Sequence, residues 1–369
     1  MSRKEIISNK QGIALIILFI NGEASIFIEG ICAKSDTWLA LILGLVMSLP
    51  MVLIFARLLS LFPEKSLFDI VEICLGKILG KVFILVYTWF CFHAVAITLE
   101  DWVFFVKSAT LPDTPNWVII GLLILLCAYG VKQGIEVLGR WSEMFVVITV
   151  IEVIAVFFLL LPKFHWDYLT PVLYEGPKPV FQGAFLTFIF PMTYIVGFLP
   201  VLSLRKEKNS AYKIFFYGLL IGSAILFLIY IGVILTLGPY NASRIYYPTY
   251  VEVSLISIGN FLQRLDILAA VVYISGIFIQ TSIFLMGACR GFAKLFVFPD
   301  YRFIVWPMTL LAATLAIYEP GSIMNYFEFA IDAWPYYVFP FEVILPLCLW
   351  IVAEIRVYSA GKQGRILGS

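Results

Sequence analysis

The sequence has little charge. Only 13% of its 369 residues are Asp, Glu, Lys or Arg, about half the share usual in a soluble domain. A water-soluble fold of this length needs more polar cover than that, so a soluble enzyme or binding module is excluded. Basic residues are not in surplus either. The 25 Lys and Arg face 24 Asp and Glu, which leaves nothing to neutralise a phosphate backbone and excludes a nucleic-acid partner. The six cysteines are scattered without paired spacing, which argues against a disulfide scaffold or thiolate metal centre. His93 and His165 fall in different surroundings and make no pair. No P-loop, nucleophile elbow or dinucleotide fingerprint occurs, so no catalytic residue, metal or cofactor is expected. What the chain has is hydrophobicity: 62% of it, in runs such as Trp38–Ala56 and Ile214–Leu237. Runs near 20 residues make helical spans, whereas a barrel strand shows about 10 alternating residues. The expectation is an all-α integral membrane protein. The first run flows onward without a small-residue cleavage site, so no removable signal peptide is expected.

Ten spans can be placed, at 11–31, 37–60, 82–107, 116–131, 140–161, 180–203, 211–237, 266–289, 303–318 and 335–357. Pro, Gly, Asp and Asn mark the joints, as at Leu111–Asn116 and Gly238–Asn241. Two longer joints, 61–81 and 239–265, have helical periodicity of their own. In the first, Leu67, Ile70, Val71 and Cys74 share one face, as in a helix lying along the interface. No soluble domain fits, so residues 1–369 read as one membrane domain. With the N-terminus inside, 19 of the 25 basic residues fall on cytoplasmic segments and six on outer ones. The positive-inside rule therefore places both termini in the cytoplasm. The heaviest cluster, Arg205, Lys206, Lys208 and Lys213, falls between spans six and seven.

Ten spans with both ends inside permit two inverted halves of five, about 11–161 and 180–357. In such folds the first helix of each half breaks near the midplane and forms the binding site. Span one is interrupted at Asn21, Gly22, Glu23, Ala24 and Ser25, and span six at Phe190, Pro191, Met192, Thr193 and Tyr194. Pro191 alone reads as a kink, since it removes one backbone donor. A matched pair of breaks in corresponding helices points to a site.

An ionisable group inside a span costs at least about 2.5–3.5 kcal/mol at the midplane, so each needs a reason. Glu23 lies at the first break, where it either moves a proton, pairs with a substrate amine or caps freed backbone groups. Glu29 is nearer the outer end and is expected to reach the interface. His93 and Glu100 are seven residues apart in span three and share a face. Asp101, beside Glu100, is expected to be solvated near the outer surface. Glu152 lies midway along span five among Phe145, Ile148 and Val156, so it either titrates in the bundle or bonds a neighbouring helix while neutral. Glu143 is expected to pair with Arg140 at helical spacing, and Arg264 with Asp266 at the outer mouth. Glu342 in span ten has no evident partner. Span eight offers Tyr273, Ser275, Gln280, Thr281 and Ser282, and such hydroxyls more often bond the preceding turn than a ligand. Trp38, Trp117, Trp166, Trp306 and Trp334 at span ends read as interfacial belts.

Several short segments carry a resemblance. Pro171-Val172-Leu173-Tyr174-Glu175-Gly176 precedes span six, Phe198-Leu199-Pro200 and the basic cluster close it, and Pro248-Thr249 precedes Phe261-Leu262-Gln263-Arg264-Leu265-Asp266. In order and spacing the chain resembles the B-subunits of bacterial spore germinant receptors, the GerAB-type permeases of the amino acid–polyamine–organocation superfamily. The chain departs from that family at both breaks. Ala24 stands at the second glycine position of span one, with Glu23 before it, and Met192-Thr193-Tyr194 stands where relatives often carry glycine and then glutamate.

The resemblance implies a five-plus-five inverted-repeat fold in the spore inner membrane, with A- and C-type receptor subunits as partners. It implies a small nutrient such as an amino acid between the two breaks, walled by His93 and Glu100 of span three and Tyr273 of span eight. Half-helix N-termini would hold its carboxylate. Thr281-Ser282 lies where some superfamily members bind sodium, and no lysine stands in span five for the proton coupling some members use. Two other readings stay open: a proton-coupled amino acid symporter, with Glu23 and Glu152 as coupling candidates, and a non-transporting scaffold.

Overall fold

Backbone groups in hydrocarbon must be paired within the chain, so apolar runs of this length fold as helices. The computed structural model describes residues 6–202, 210–256, 265–318 and 321–366, all helices and connecting turns. Among them, nine helices are long and apolar enough to cross a membrane by length and composition, and they correspond to spans two to ten. The helices are α1 Asn9–Ile20, α2 Thr37–Leu61, α3 Leu67–Ala109, α4 Asn116–Gln133, α5 Ile135–Leu160, α6 Pro177–Thr187 and α7 Ser210–Leu237. They continue with α8 Pro239–Ala242, α9 Pro248–Ser254, α10 Asp266–Leu295, α11 Val305–Tyr318, α12 Ile323–Asp332, α13 Trp334–Phe339 and α14 Leu345–Ile366.

Span one is shorter as a helix than its apolar run. It starts at a capping box in which Ser8 and Gln11 satisfy each other's backbone. It stops at Ile20, and the remainder is two 3-10 turns, Glu23–Ser25 and Ile31–Asp36, separated by Gly30 at φ +74°. The half-helix expected after the first break is therefore absent. Span six runs as α6, then a π turn over Phe188–Thr193 in which Phe190 is extended, then a 3-10 turn over Tyr194–Phe198. Arg205, Lys206 and Lys208 of the basic cluster, and residues 261–264, lie outside the described residues. The interfacial helix at 61–81 is present as the first part of α3, separated from the span by a kink at Gly76 (φ +77°). Its Leu67, Ile70, Val71 and Cys74 face is buried as the periodicity requires. Lys294 at the end of α10 clamps it through Asp69 at 2.8 Å and Glu72 at 2.9 Å.

The centre is built from α1, α3, α7 and α10. Glycines let α1 approach α7 closely: a Cβ at Gly218 would lie 2.7 Å from Ile16 Cβ. Phe19, Phe90, Tyr194, Phe198 and Phe284 pack ring on ring around the second break, with centroids 4.6–6.2 Å apart. Edge and tilted contacts of this kind add to the apolar burial. Leu173 N–H donates to Asp36, and Lys34 reaches Glu175 at 2.5 Å, so the Pro171–Gly176 segment closes over the start of α2.

Candidate functional site

The first break is built by side chains that satisfy backbone. Asn21 Nδ2 donates to the Ile17 carbonyl at 2.9 Å and to Gly222 of α7 at 3.2 Å, ending α1 and fixing it to its neighbour. Gly22 then lies directly on the backbone of Gly276 in α10: a Cβ at Gly276 would collide with the Gly22 backbone, and one at Gly22 with the Gln280 side chain. Ser25 Oγ donates back to the Gly22 carbonyl at 2.9 Å, and Phe27 and Ile26 both donate to Glu23. At the second break, Thr193 Oγ1 lies 2.9 Å from the Phe188 carbonyl oxygen and 2.7 Å from Glu342 Oε2 of span ten. Glu342 therefore has a partner, and the acid lacking in span six is delivered to the break from elsewhere in the fold. Ser223 of α7 donates to Met192 Sδ at 3.1 Å.

Both breaks wall one cavity, about 500 Å³ with its open mouth. Span one contributes Glu23, Phe27 and Glu29; span six contributes Leu186, Phe190 and Tyr194; α3 contributes Ile97 and Asp101. The far wall is Tyr326 and Ala330 of α12 with Trp334 and Pro335 of α13. Three carboxyl groups thus line it, and none of the described lining residues is Lys, Arg or His. Asp101 accepts from Tyr273 at 2.7 Å and Tyr247 at 3.1 Å. Glu23 lies beside Thr98 and Gln280, with Oε1 unbonded, and the Glu29 backbone N–H donates to the Tyr230 hydroxyl at 3.1 Å.

Of the sequence candidates, Glu23, Phe190 and Tyr194 face the cavity. Asn21, Gly22, Ala24, Pro191, Met192 and Thr193 stand behind its wall, where they shape the breaks. Ser25 turns to a different cavity with Glu152. Tyr273 acts through Asp101. His93 is not in the cavity wall: its Nδ1 lies 3.1 Å from the Tyr337 hydroxyl, between the rings of Trp89 and Trp334. Glu100 is buried, but Asp101 rather than Glu100 lines the cavity. Glu29 does not reach the interface, because the chain at Gly30 turns it inward. Arg140 gives its Nε to the Glu136 carbonyl, not to Glu143. Asp266 accepts from Tyr250 at 2.6 Å, while Arg264 lies outside the described residues. Gln280, Thr281 and Ser282 are fully buried in α10, with side-chain polar atoms that lack a protein partner.

An all-helical bundle whose first and sixth spans break around a shared cavity is a transporter fold of the inverted-repeat type. The solved structure of MhsT in complex with L-phenylalanine is similar along the whole length. Its TM-score is 0.62 at 12% identity, covering 95% of this chain and 99% of that one. The nucleobase-cation-symport-1 family transporter MHP1, in a closed conformation with bromovinylhydantoin bound, gives a TM-score of 0.56 at 10% identity over 89% and 75%. Within that class, the chain belongs to the spore germination protein (spore permease) family, whose profile matches residues 6–321. It is 26% identical to spore germination protein KB of Bacillus subtilis (strain 168) over 97% of this chain and 98% of that protein. It is 30% identical to spore germination protein XB of Bacillus anthracis over 51% and 52%.

Proposed function

We propose that this chain is the transporter-fold subunit of a spore nutrient receptor and binds a small nutrient, by preference an amino acid, in the cavity between the two breaks. One observation carries the reading: the two broken helices, distant in sequence, wall a single chamber with three carboxyl groups and no basic lining residue. Such a chamber attracts an ammonium group, with Glu23 and Asp101 as its partners. L-phenylalanine in the similar MhsT structure supports an amino acid as the ligand class. The ligand's carboxylate would meet backbone N–H groups freed at the breaks. Binding would favour one of two bundle arrangements and pass it to A- and C-type partner subunits. The chain would sit in the spore inner membrane with both termini cytoplasmic.

The test is equilibrium binding of radiolabelled L-amino acids, L-phenylalanine included, to the purified full chain in nanodiscs. At least one should bind, and Glu23→Gln and Asp101→Asn should each weaken it tenfold or more. Absence of binding across the set, or affinity unchanged in both variants, would overturn the proposal. The buried carboxyl cluster also favours a second reading, a proton-coupled symporter. That reading requires liposome uptake that depends on an imposed pH gradient and collapses in Glu23→Gln.

A further inference from the structure

Behind the first break lies a second cavity, about 460 Å³ with its mouth, between α5, α7, α9 and α10. It shares no lining residue with the central one. Its walls are mostly apolar; besides Ser25, whose hydroxyl donates to the Gly22 carbonyl, three polar groups interrupt them. Thr249 is 6% exposed and its hydroxyl has no partner. Glu252 is 3% exposed and its Oε1 has only a long 3.4 Å contact from Thr236. Glu152 reaches in from α5 with Oε2 shut off from water and unbonded. Room for the Glu252 carboxyl is left by Gly232, where a Cβ would lie 2.9 Å from Oε1. None of the described lining residues is Lys, Arg or His.

Buried carboxyls without a cation or sufficient donors are costly. Here two of them and a hydroxyl supply acceptors to an apolar chamber that has no donor of positive charge. A primary ammonium carries three N–H donors and the missing charge. We propose that this cavity is a second binding site for a primary amine with a short apolar tail, its ammonium held by Glu152, Glu252 and Thr249 and its tail by Val156, Phe157 and Val272. Burial pushes the Glu252 carboxyl well above the usual carboxylate range. Among the described lining residues the only other titratable one is Glu152, and Asp266 of α10 is turned to Tyr250. An ammonium that enters favours the carboxylate over the acid, so the carboxyl loses its proton to solvent and the ion pair forms. Binding then strengthens as pH rises, until the amine itself deprotonates. The amine has two sources, a free solute or a phosphatidylethanolamine headgroup, since α5 exposes Ile151, Ile154 and Phe158 beside it.

The experiment is calorimetric titration of the full chain with n-butylamine and with n-butanol, in phosphatidylglycerol nanodiscs and in two buffers of different ionisation heat. Butylamine should bind at least tenfold tighter than butanol, with proton release. Its affinity should fall tenfold or more in Glu252→Gln and in Gly232→Ala, which crowds the carboxyl. The amine-to-alcohol ratio is read both on the unmodified protein and on Asp101→Asn, where it should persist because the central chamber has lost one of its ammonium partners. Equal affinity for the two probes overturns the site, as does a loss that appears in Asp101→Asn but not in Glu252→Gln. Repeating the titration with phosphatidylethanolamine in the disc identifies the source. Competition assigns the lipid headgroup, unchanged affinity the free amine, and both outcomes keep the site.

Discussion

At Asp101, two tyrosine hydroxyls donate to the carboxyl, at 2.7 Å and 3.1 Å. Removing a donor from a charged or chargeable acceptor costs about 1.5–3 kcal/mol. Tyr273→Phe should therefore lower the melting temperature in detergent, and should weaken nutrient binding because Asp101 lines the central cavity. At the second break the equivalent contact is Thr193 to Glu342. Thr193→Val keeps the shape and removes the hydroxyl, leaving a fully buried carboxyl short of a donor at about 1–3 kcal/mol. Thermal unfolding should show a clear loss in Thr193→Val and near-native behaviour in Thr193→Ser. Glu23 was legible in the sequence because an acid at the middle of an apolar run is too costly to stand there without a role, be it at a site or as a cap. Glu29, Asp101 and Glu342 were not, since whether an acid near a span end faces water or a chamber depends on which helix closes over it. Phe27, Ile97, Leu186 and Tyr326 were invisible for a different reason, being apolar residues in apolar runs.

Among the elements, breaks were easier to read than boundaries. The polar pentapeptide at Asn21–Ser25 and the proline at Pro191 announced both interruptions. The loss of regular helix after Ile20 did not show, because residues 26–33 are apolar apart from Glu29 while Gly30 takes a left-handed turn. Likewise the face of the interfacial helix at the start of α3 was legible from its period, but its clamp by Lys294 of α10 was not. Glycine roles differ by element in a testable way. Gly218→Ala sets a methyl group 2.7 Å from Ile16 Cβ in the tight α1–α7 contact, an overpacking that costs about 1–3 kcal/mol. At Gly76 a Cβ meets nothing within 4 Å, so only the backbone conformation, φ +77° with extended ψ, resists it, at about 1–3 kcal/mol. Melting temperatures should fall in both variants, while displacement of the first break, and with it loss of nutrient binding, should follow Gly218→Ala alone.

For the whole molecule, the unequal share of basic residues on alternate joints predicts an orientation that labelling can test. Tyr174→Cys, in the exposed segment before α6, should react with a membrane-impermeant maleimide in right-side-out vesicles. Val297→Cys, in the exposed joint after α10, should react only in inverted ones. The reverse pattern would place both termini outside. The two cavities meet at the span-one turn of three residues, where Glu23 faces the central chamber and Ser25 the chamber between α5 and α9. A partition this thin has no independent sides. Any shift of the turn as a body redraws both rooms together, so each occupant is in effect a tenant of the other's wall.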